Sequence, residues 1–175
     1  SVWADTYRVF PSSDPEPGPH RTDRFPLARE MQDAISDDRT REVILWGPTQ
    51  TAKTSIICNM IGYAIHYDPS PALGVYPTED TARAFAEEKL EPMINACPAL
   101  TERASIGTAR THRKSILTKV FPGMLVELKG GNSENAFASR STRYAWADEL
   151  DRIPPNKEGR PADVLRQRCQ NYWNR

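Results

Sequence analysis

The chain has 175 residues, and its 23 lysines and arginines balance 23 aspartates and glutamates, so the formal net charge is zero. This balance argues against a broadly basic nucleic-acid-binding surface, and any DNA contact would need a local patch. No apolar run approaches the roughly 20 residues of a membrane-spanning helix, so no membrane partner is expected, and the dispersed cysteines Cys58, Cys97 and Cys169 form no CxxC metal-binding pair.

Residues 1–25 are predicted to form an extended N-terminal arm ahead of a single folded domain, residues 26–175. The segment 11–26 contains five prolines among polar residues, a composition that disfavours regular structure. From Pro26 onward, apolar residues recur at helical spacing. The spacing predicts a helix over 26–37.

Two short apolar runs, 43–46 and 72–76, predict strands buried on both faces of a parallel sheet. The strongly apolar segment between them predicts a helix over 53–67, which Asp68-Pro69 would end. Thr78 is a favourable N-cap for a following helix that reaches about residue 94.

The second half of the chain continues the alternation of strands and helices. The sequence predicts a hairpin in which 115–121 pairs with 124–128 around a Pro122-Gly123 turn. It then predicts a short helix at 134–138, a strand at 144–147 and a C-terminal helix from Pro161. Strands that alternate with helices predict an α/β fold with a mainly parallel sheet and flanking helices.

The segment WGPTQTAKT, residues 46–54, resembles a phosphate-binding loop of the form GxxxxGK[ST], or Walker A motif. Gly47, Lys53 and Thr54 fit this pattern, but Ala52 stands in place of the second glycine. Lys53 would reach the terminal phosphates and Thr54 would bind Mg²⁺. If φ at Ala52 is positive, its methyl group costs about 1–2 kcal/mol. By itself the pattern fits a plain strand–loop–helix junction equally well.

Asp148 and Glu149 follow the predicted strand 144–147 directly. In nucleotide hydrolases an aspartate at such a strand end, the Walker B position, orders Mg²⁺, and an adjacent glutamate can orient the attacking water. Ligands bind outside the carboxyl ends of parallel strands, so the two motifs are expected to meet there. The alternative is a solvated Asp-Glu turn after an edge strand.

Other chemically suggestive residues have plainer explanations. The histidines His20, His66 and His112 are isolated and are expected to be structural or exposed. Trp46 and Trp146 fall in predicted core strands. The basic stretch 102–119 could contact DNA phosphates or form a solvated face.

Several segments together resemble the ATPase part of the large terminase subunit of tailed bacteriophages, in the lambda-like branch. The most specific of them is GGNSENAFASRSTRYAWADELDR at 130–152, with its acidic strand end and DR pair. Further matching segments are WADTYRV at 3–9, GPHRTDRFPLAREMQDAI at 18–35, QTAKT at 50–54 and the long stretch 61–94.

This resemblance implies a P-loop NTPase-type fold and a motor that hydrolyses ATP with Mg²⁺ to move double-stranded DNA into a procapsid. Lys53 would contact phosphate and assist catalysis, Thr54 and Asp148 would bind Mg²⁺, and Glu149 would activate water. The other implied nucleotide contacts are Gly47, Gln50, Thr51 and Ala52 in the loop and Arg29 near the adenine.

The source of a charge-stabilising arginine is less defined. Many terminases carry an arginine in the loop where this chain has Thr49. Arg140, Arg143 or Arg152 could supply that charge, in cis or from a neighbouring subunit. A surface salt bridge is the plainer interpretation for each of them.

The resemblance also implies partners: double-stranded DNA, the small terminase subunit, the portal protein of the procapsid and further copies in a ring, all in the host cytoplasm. The sequence stops where the family's coupling strand would begin, so a fragment or truncated sheet with impaired turnover is expected, without nuclease activity. Two alternatives remain: another P-loop helicase or translocase, or a catalytically silent prophage remnant.

Overall fold

The computed structural model describes residues 1–48, 50–107, 115–132, 137 and 141–172, and its architecture is α/β. The helices are α1 (Val2–Tyr7), α2 (Leu27–Ile35), α3 (Lys53–Tyr67), α4 (Glu79–Phe85), α5 (Glu91–Ala96), α6 (Pro98–Gly107) and α7 (Pro161–Cys169). The strands are β1 (Val9–Phe10), β2 (Gly18–Pro19), β3 (Ala72–Tyr76), β4 (Thr118–Phe121), β5 (Met124–Gly130) and β6 (Tyr144–Ala147). A π-helical turn, Ala86–Leu90, joins α4 to α5.

The central sheet is mixed but mostly parallel, with the strand order β4-β5-β3-β6. Strand β3 pairs in parallel with both β5 and β6, whereas β4 and β5 form the predicted antiparallel hairpin. Val75 lies opposite Ala147, so β3 and β6 end at the same edge of the sheet. This arrangement confirms the predicted α/β class and is compatible with a P-loop NTPase-type fold.

Strand β3 is buried on both faces, as its continuous apolar sequence predicts. Ala72 and Tyr76 face a large core that includes buried residues of α3, α4, α5 and β5. Leu73 and Val75 face a smaller core completed by Phe137, Ile153, Val164 and Leu165. Helix α7 therefore covers the sheet face opposite α3.

Helix α3 spans the predicted residues, and a close approach by Trp3 anchors its middle. A Cβ atom on Gly62 would lie 2.2 Å from the Trp3 ring, so only glycine leaves room for this contact. Helix α4 also begins as predicted, because Thr78 caps it through a reciprocal capping box with Thr81.

Residues 43–46 do not form a strand, so the predicted strand is wrong. Ile44 is 75% exposed and Trp46 is 96% exposed, which also corrects the core position expected for Trp46. A strand needs a neighbour for its backbone hydrogen bonds, and within the described ranges β6 pairs only with β3. Glu42, the residue just before this segment, instead pairs with Arg166 on α7 at 2.9 Å.

The expected extended arm, residues 1–25, is not confirmed, because this region folds against α3. It contains α1, the antiparallel pair β1–β2 and a 3₁₀ turn at Thr22–Arg24. Trp3 Nε1 donates to His66 Nδ1 at 3.2 Å, and the Asp5 carboxylate accepts hydrogen bonds from the amide and hydroxyl of Thr22.

The remaining predictions have mixed outcomes. Strand β6 and helix α7 are confirmed, and Trp146 is buried as expected. The helix expected at 134–138 lies outside the described residues except for Phe137, and His112 lies outside them as well. In the described part of the chain, every helix is too short or too polar to cross a membrane.

Candidate nucleotide-binding site

The loop before α3 is folded around the ammonium group of Lys53. Lys53 Nζ donates to the carbonyl oxygen of Gly47 at 3.0 Å, to the Thr51 hydroxyl at 3.2 Å and to the carbonyl oxygen of Pro48. The Thr51 hydroxyl in turn donates to the Pro48 carbonyl at 2.8 Å. The loop thus encloses a cation whose partners here are uncharged oxygens, which a phosphate could replace.

The backbone of this loop takes up conformations normally reserved for glycine. Gln50 has φ 61° and Ala52 has φ 57°, and both are left-handed. Ala52 therefore has the backbone geometry that the second glycine of the motif would supply, at a cost of about 1–2 kcal/mol. Left-handed residues in a tight turn direct successive N–H groups to one side, which favours anion binding.

Helix α3 starts immediately after Ala52, and its first intrahelical hydrogen bond runs from the Ile56 amide to the Ala52 carbonyl. The first amides of the helix therefore have no intrahelical acceptor. The positive end of the helix dipole adds to their attraction for an anion. The loop and helix together can hold phosphate groups.

Thr54 and Asp148 meet at this helix terminus. The Thr54 hydroxyl and the Lys53 charge both act on the Asp148 carboxylate and lower its pKa. Burial is the largest influence and raises the pKa of Asp148, and the charge of Glu149 adds to this rise. The Glu149 amide, the Lys53 charge and the Thr54 hydroxyl oppose it. Three predicted site residues, from two separate segments of the chain, are therefore brought together.

Glu149 lies at the same edge but points to an arginine. It is exposed, has a left-handed backbone with φ 50° and ψ 49°, and its carboxylate accepts a hydrogen bond from Arg152 Nη1 at 3.0 Å. The Glu149 amide donates to Asp148 Oδ1 at 3.1 Å. Strained backbone of this kind persists where the surroundings impose it, and it is concentrated at functional sites.

The residues present fit a magnesium–phosphate group. Thr54 and Asp148 supply a hydroxyl and a carboxylate oxygen, and oxygen is the ligand type that Mg²⁺ prefers. Within the described ranges, no three His, Cys, Asp or Glu side chains cluster so as to hold a metal ion by themselves. A magnesium ion here would therefore also need phosphate oxygens and water, as is usual for nucleotide sites.

The structure does not bring the predicted catalytic arginine Arg143 to this site. Arg143 precedes β6, pairs with Asp68 at 2.7 Å and donates its amide to the Pro71 carbonyl. Asp148 follows the same strand, so the two positions lie about 16 Å apart at 3.3 Å per residue. The expectation that Arg143 acts in cis is corrected on this ground, whereas Arg140 and Thr49 lie outside the described residues.

Arg29 and two described residues of the basic stretch, Arg103 and Lys119, take part in other contacts of the fold. Arg29 is exposed on α2, where it borders a shallow groove with Asp37 and Thr40. Of the basic stretch, Arg103 donates to the His66 carbonyl at 2.9 Å and the buried Lys119 pairs with Glu91. These two basic side chains hold helices in place.

One residue near the loop was missed from the sequence. Arg8, at the end of α1, is buried against the first two turns of α3, where it contacts Ser55 and Asn59. Its position in the aromatic segment WADTYRV gives no periodic or motif signal.

Comparison with known proteins identifies one family. The family model described as "Phage terminase large subunit gpA, ATPase domain" matches residues 14–175. This range includes the phosphate-binding loop and the Asp148-Glu149 pair.

Two curated relatives agree with that match. The terminase large subunit of Enterobacteria phage P21 is 27% identical over 164 residues, which cover 91% of this chain and 25% of that protein. The terminase large subunit of Escherichia phage lambda is 24% identical over 177 residues, which cover 98% of this chain and 27% of that protein. The chain spans about a quarter of the length of these relatives, and no solved structure matches it significantly.

Proposed function

Because this chain belongs to the family of phage terminase large subunit ATPase domains, we propose that it binds Mg²⁺ and ATP and hydrolyses the nucleotide as part of a DNA-packaging motor. The observation that carries the proposal is the meeting of Lys53, Thr54 and Asp148 at the first turn of α3. A phosphate-binding loop, a hydroxyl and an acidic strand end are the parts that phosphoryl transfer requires.

Each of these residues has a role that follows from its position. Lys53 exchanges its loop carbonyl partners for the terminal phosphates, where its charge opposes that of the anion. The amides at the start of α3 hold further phosphate oxygens. Thr54 and Asp148 would hold a magnesium ion, which would supply positive charge beside the phosphates.

Glu149 is the group that accepts a proton from the attacking water. It can do so only after its carboxylate leaves Arg152, since the two form an ion pair. Both side chains are largely exposed, so this ion pair is weak, on the order of 0–1 kcal/mol. A bound nucleotide that attracts Arg152 would release Glu149 and place the guanidinium near the phosphates.

The wider activity follows from the family rather than from the site. The named relatives are large terminase subunits, so we assign this domain to a motor that moves double-stranded DNA into a procapsid. Its partners would be the small terminase subunit, the portal protein and further copies of the chain in a ring, in the host cytoplasm. Arg140, or Arg143 of a neighbouring copy, would complete the site in that ring.

ATP hydrolysis tests the proposal when wild type is compared with Glu149→Gln. The substitution keeps the shape of the side chain but removes its basicity. We expect the turnover rate to fall about 10²- to 10⁴-fold, the range that a general base contributes, while ATP binding persists. A Glu158→Gln variant is the control, because it removes another exposed carboxylate that pairs with an arginine, Arg168. A Glu149→Gln variant that turns over ATP at the wild-type rate contradicts the assigned role.

A catalytically silent nucleotide-binding domain is the second candidate. The ion pair between Glu149 and Arg152 favours it, because it holds the Glu149 carboxylate away from an attacking water. Wild-type protein that binds ATP but releases no phosphate, even with DNA and the partner proteins present, would support this candidate.

A further inference from the structure

Arg8 carries a buried positive charge. The residue is 7% exposed, and the ring of Phe10 covers its guanidinium at 4.5 Å. His20 lies on Phe10, with ring centroids 5.7 Å apart, and its amide donates to the Arg8 carbonyl at 2.9 Å. Both the backbone and the side chain of Arg8 are therefore fixed.

The partners of this guanidinium are uncharged oxygens of α3. Arg8 Nη1 lies 2.8 Å from the Ser55 carbonyl oxygen and 2.9 Å from the Ser55 hydroxyl, and it also contacts the amide oxygen of Asn59. The Nε atom is buried and has no hydrogen-bond partner in the described part of the chain. Burial lowers the pKa of Arg8 against the opposing charge of Asp14, so the charge is poorly compensated.

The location of this charge is significant because Arg8 contacts the start of the helix that follows the candidate phosphate-binding loop. Ser55 belongs to the first turn of α3 and follows Thr54 directly. The positive end of a helix dipole disfavours a cation, and Lys53 adds a second positive charge at the same end. A buried arginine here is costly unless an anion binds near the helix terminus.

The contacts of Arg8 also connect three elements at this terminus. Asn59 accepts from Arg8 and donates its own amide to Gln32 Oε1 on α2 at 2.8 Å. Residues of α1, α2 and α3 are thus joined beside the first turn of α3. A movement of Arg8 would displace the carbonyl and side chain of Ser55, and with them the neighbouring Thr54.

We propose that Arg8 is a positioning residue of the nucleotide site, which holds the first turn of α3 in place and whose buried charge strengthens the binding of nucleotide phosphates. The inference rests on the proposed function, since it concerns the same site. It gives residues 1–10 a role in nucleotide binding in addition to their packing. Arg8 does not touch the nucleotide; it acts through Ser55 and through the electrostatic potential.

Titration of Mg²⁺ with ATP into the Arg8→Gln and Arg8→Lys variants tests this inference. Arg103→Gln is a matched control, because Arg103 donates to the His66 carbonyl at the other end of the same helix. We expect Arg8→Gln to weaken binding about tenfold or more, the scale reached when a supporting residue of a metal site is lost. Arg8→Lys, which keeps the charge but not the planar geometry, should fall between Arg8→Gln and wild type.

Thermal unfolding without ligand separates this role from a purely structural one. A structural role predicts that Arg8→Gln and Arg103→Gln lose affinity in proportion to their loss of stability, and that outcome overturns the inference. If Arg8→Gln does not fold, the Arg8→Lys variant decides, and wild-type ATP affinity in that variant also overturns the inference.

ATP binding by wild type and by Lys53→Ala separates failure of the inference from failure of the proposed function. If wild type binds no ATP, the proposed function fails together with the inference; if binding depends on Lys53 but not on Arg8, only the inference fails.

Discussion

The hydroxyl of Thr54, at the start of α3, lies close enough to the carboxylate of Asp148, just after β6, to lower its pKa. This proximity connects the candidate phosphate-binding loop with the acidic strand end. It exists because β3 and β6 are parallel neighbours and end at one edge of the sheet, and because α3 begins there.

Removal of the hydroxyl in Thr54→Val should weaken the magnesium-dependent part of nucleotide binding. The valine side chain has a similar volume but has no oxygen with which to bind the metal. We expect the affinity for ATP with Mg²⁺ to fall at least about tenfold and the affinity measured in excess chelator to change little. Calorimetric titration with and without Mg²⁺ provides the measurement. Thr54→Ser is the control and should keep most of the affinity, and an equal loss in Thr54→Val under both conditions would argue against a metal role.

Replacement of Asp148 by asparagine should stabilise the ligand-free protein at neutral pH. Burial raises the pKa of Asp148 above its ordinary value of 3.8, so the native state holds this proton more tightly than the unfolded chain does. The contribution of the group to stability therefore decreases as pH rises from about 3.8 through the native pKa, and it stays low above that value.

Urea unfolding of wild type and Asp148→Asn, across pH 4 to 8 without Mg²⁺, checks this sign. The free energy of unfolding of Asp148→Asn, relative to that of wild type, should increase as pH rises from about 3.8 through the native pKa of Asp148 and should then level off. The same variant should lose the Mg²⁺-dependent gain in nucleotide affinity. If wild type is more stable than Asp148→Asn at pH 7, then Lys53 and Thr54 compensate the partly buried charge of Asp148 fully, and the predicted sign is wrong.

Ala52→Gly should stabilise the ligand-free protein by up to about 1 kcal/mol. The left-handed φ of 57° costs alanine about 1–2 kcal/mol, and the greater freedom of glycine in the unfolded chain offsets part of the gain. Thermal unfolding measures the effect. Ala84→Gly, near the end of α4 where the chain continues into the π-helical turn, is the opposite control and should destabilise by about 0.5–1 kcal/mol. Equal destabilisation by both substitutions would mean that residue 52 does not need a left-handed backbone.

Much of the sheet could be predicted because its signals are local. The continuous apolar run of β3, the turn at Pro122-Gly123 and the cap at Thr78 each specify their own element. Local signals could not decide whether residues 43–46 form a strand. Its apolar residues favour a buried strand, but whether a strand forms depends on a neighbouring strand, which the run itself does not encode.

The candidate site also combines features that the sequence predicts with features that depend on long-range contacts. The convergence of Thr54 and Asp148 follows from the rule that ligands bind at the carboxyl ends of parallel strands. That rule also argues against Arg143, which precedes β6 and therefore lies at the opposite edge of the sheet. The buried position of Arg8 depends on α1 packing on α3, which in turn depends on Trp3 reaching Gly62. Such long-range contacts leave no periodic pattern in the sequence.

The most direct test of the nucleotide site is the affinity of wild type and Lys53→Ala for ATP with Mg²⁺, measured by calorimetric titration. Lys53 donates to loop carbonyls in the absence of ligand, and phosphate oxygens would replace these partners. Hydrogen bonds to charged groups are worth about 1.5–3 kcal/mol, so the account predicts a loss of about 10- to 150-fold in Lys53→Ala and none in the exposed control Lys89→Ala. Wild type that binds no nucleotide, or Lys53→Ala that binds it as tightly as wild type, would contradict the account.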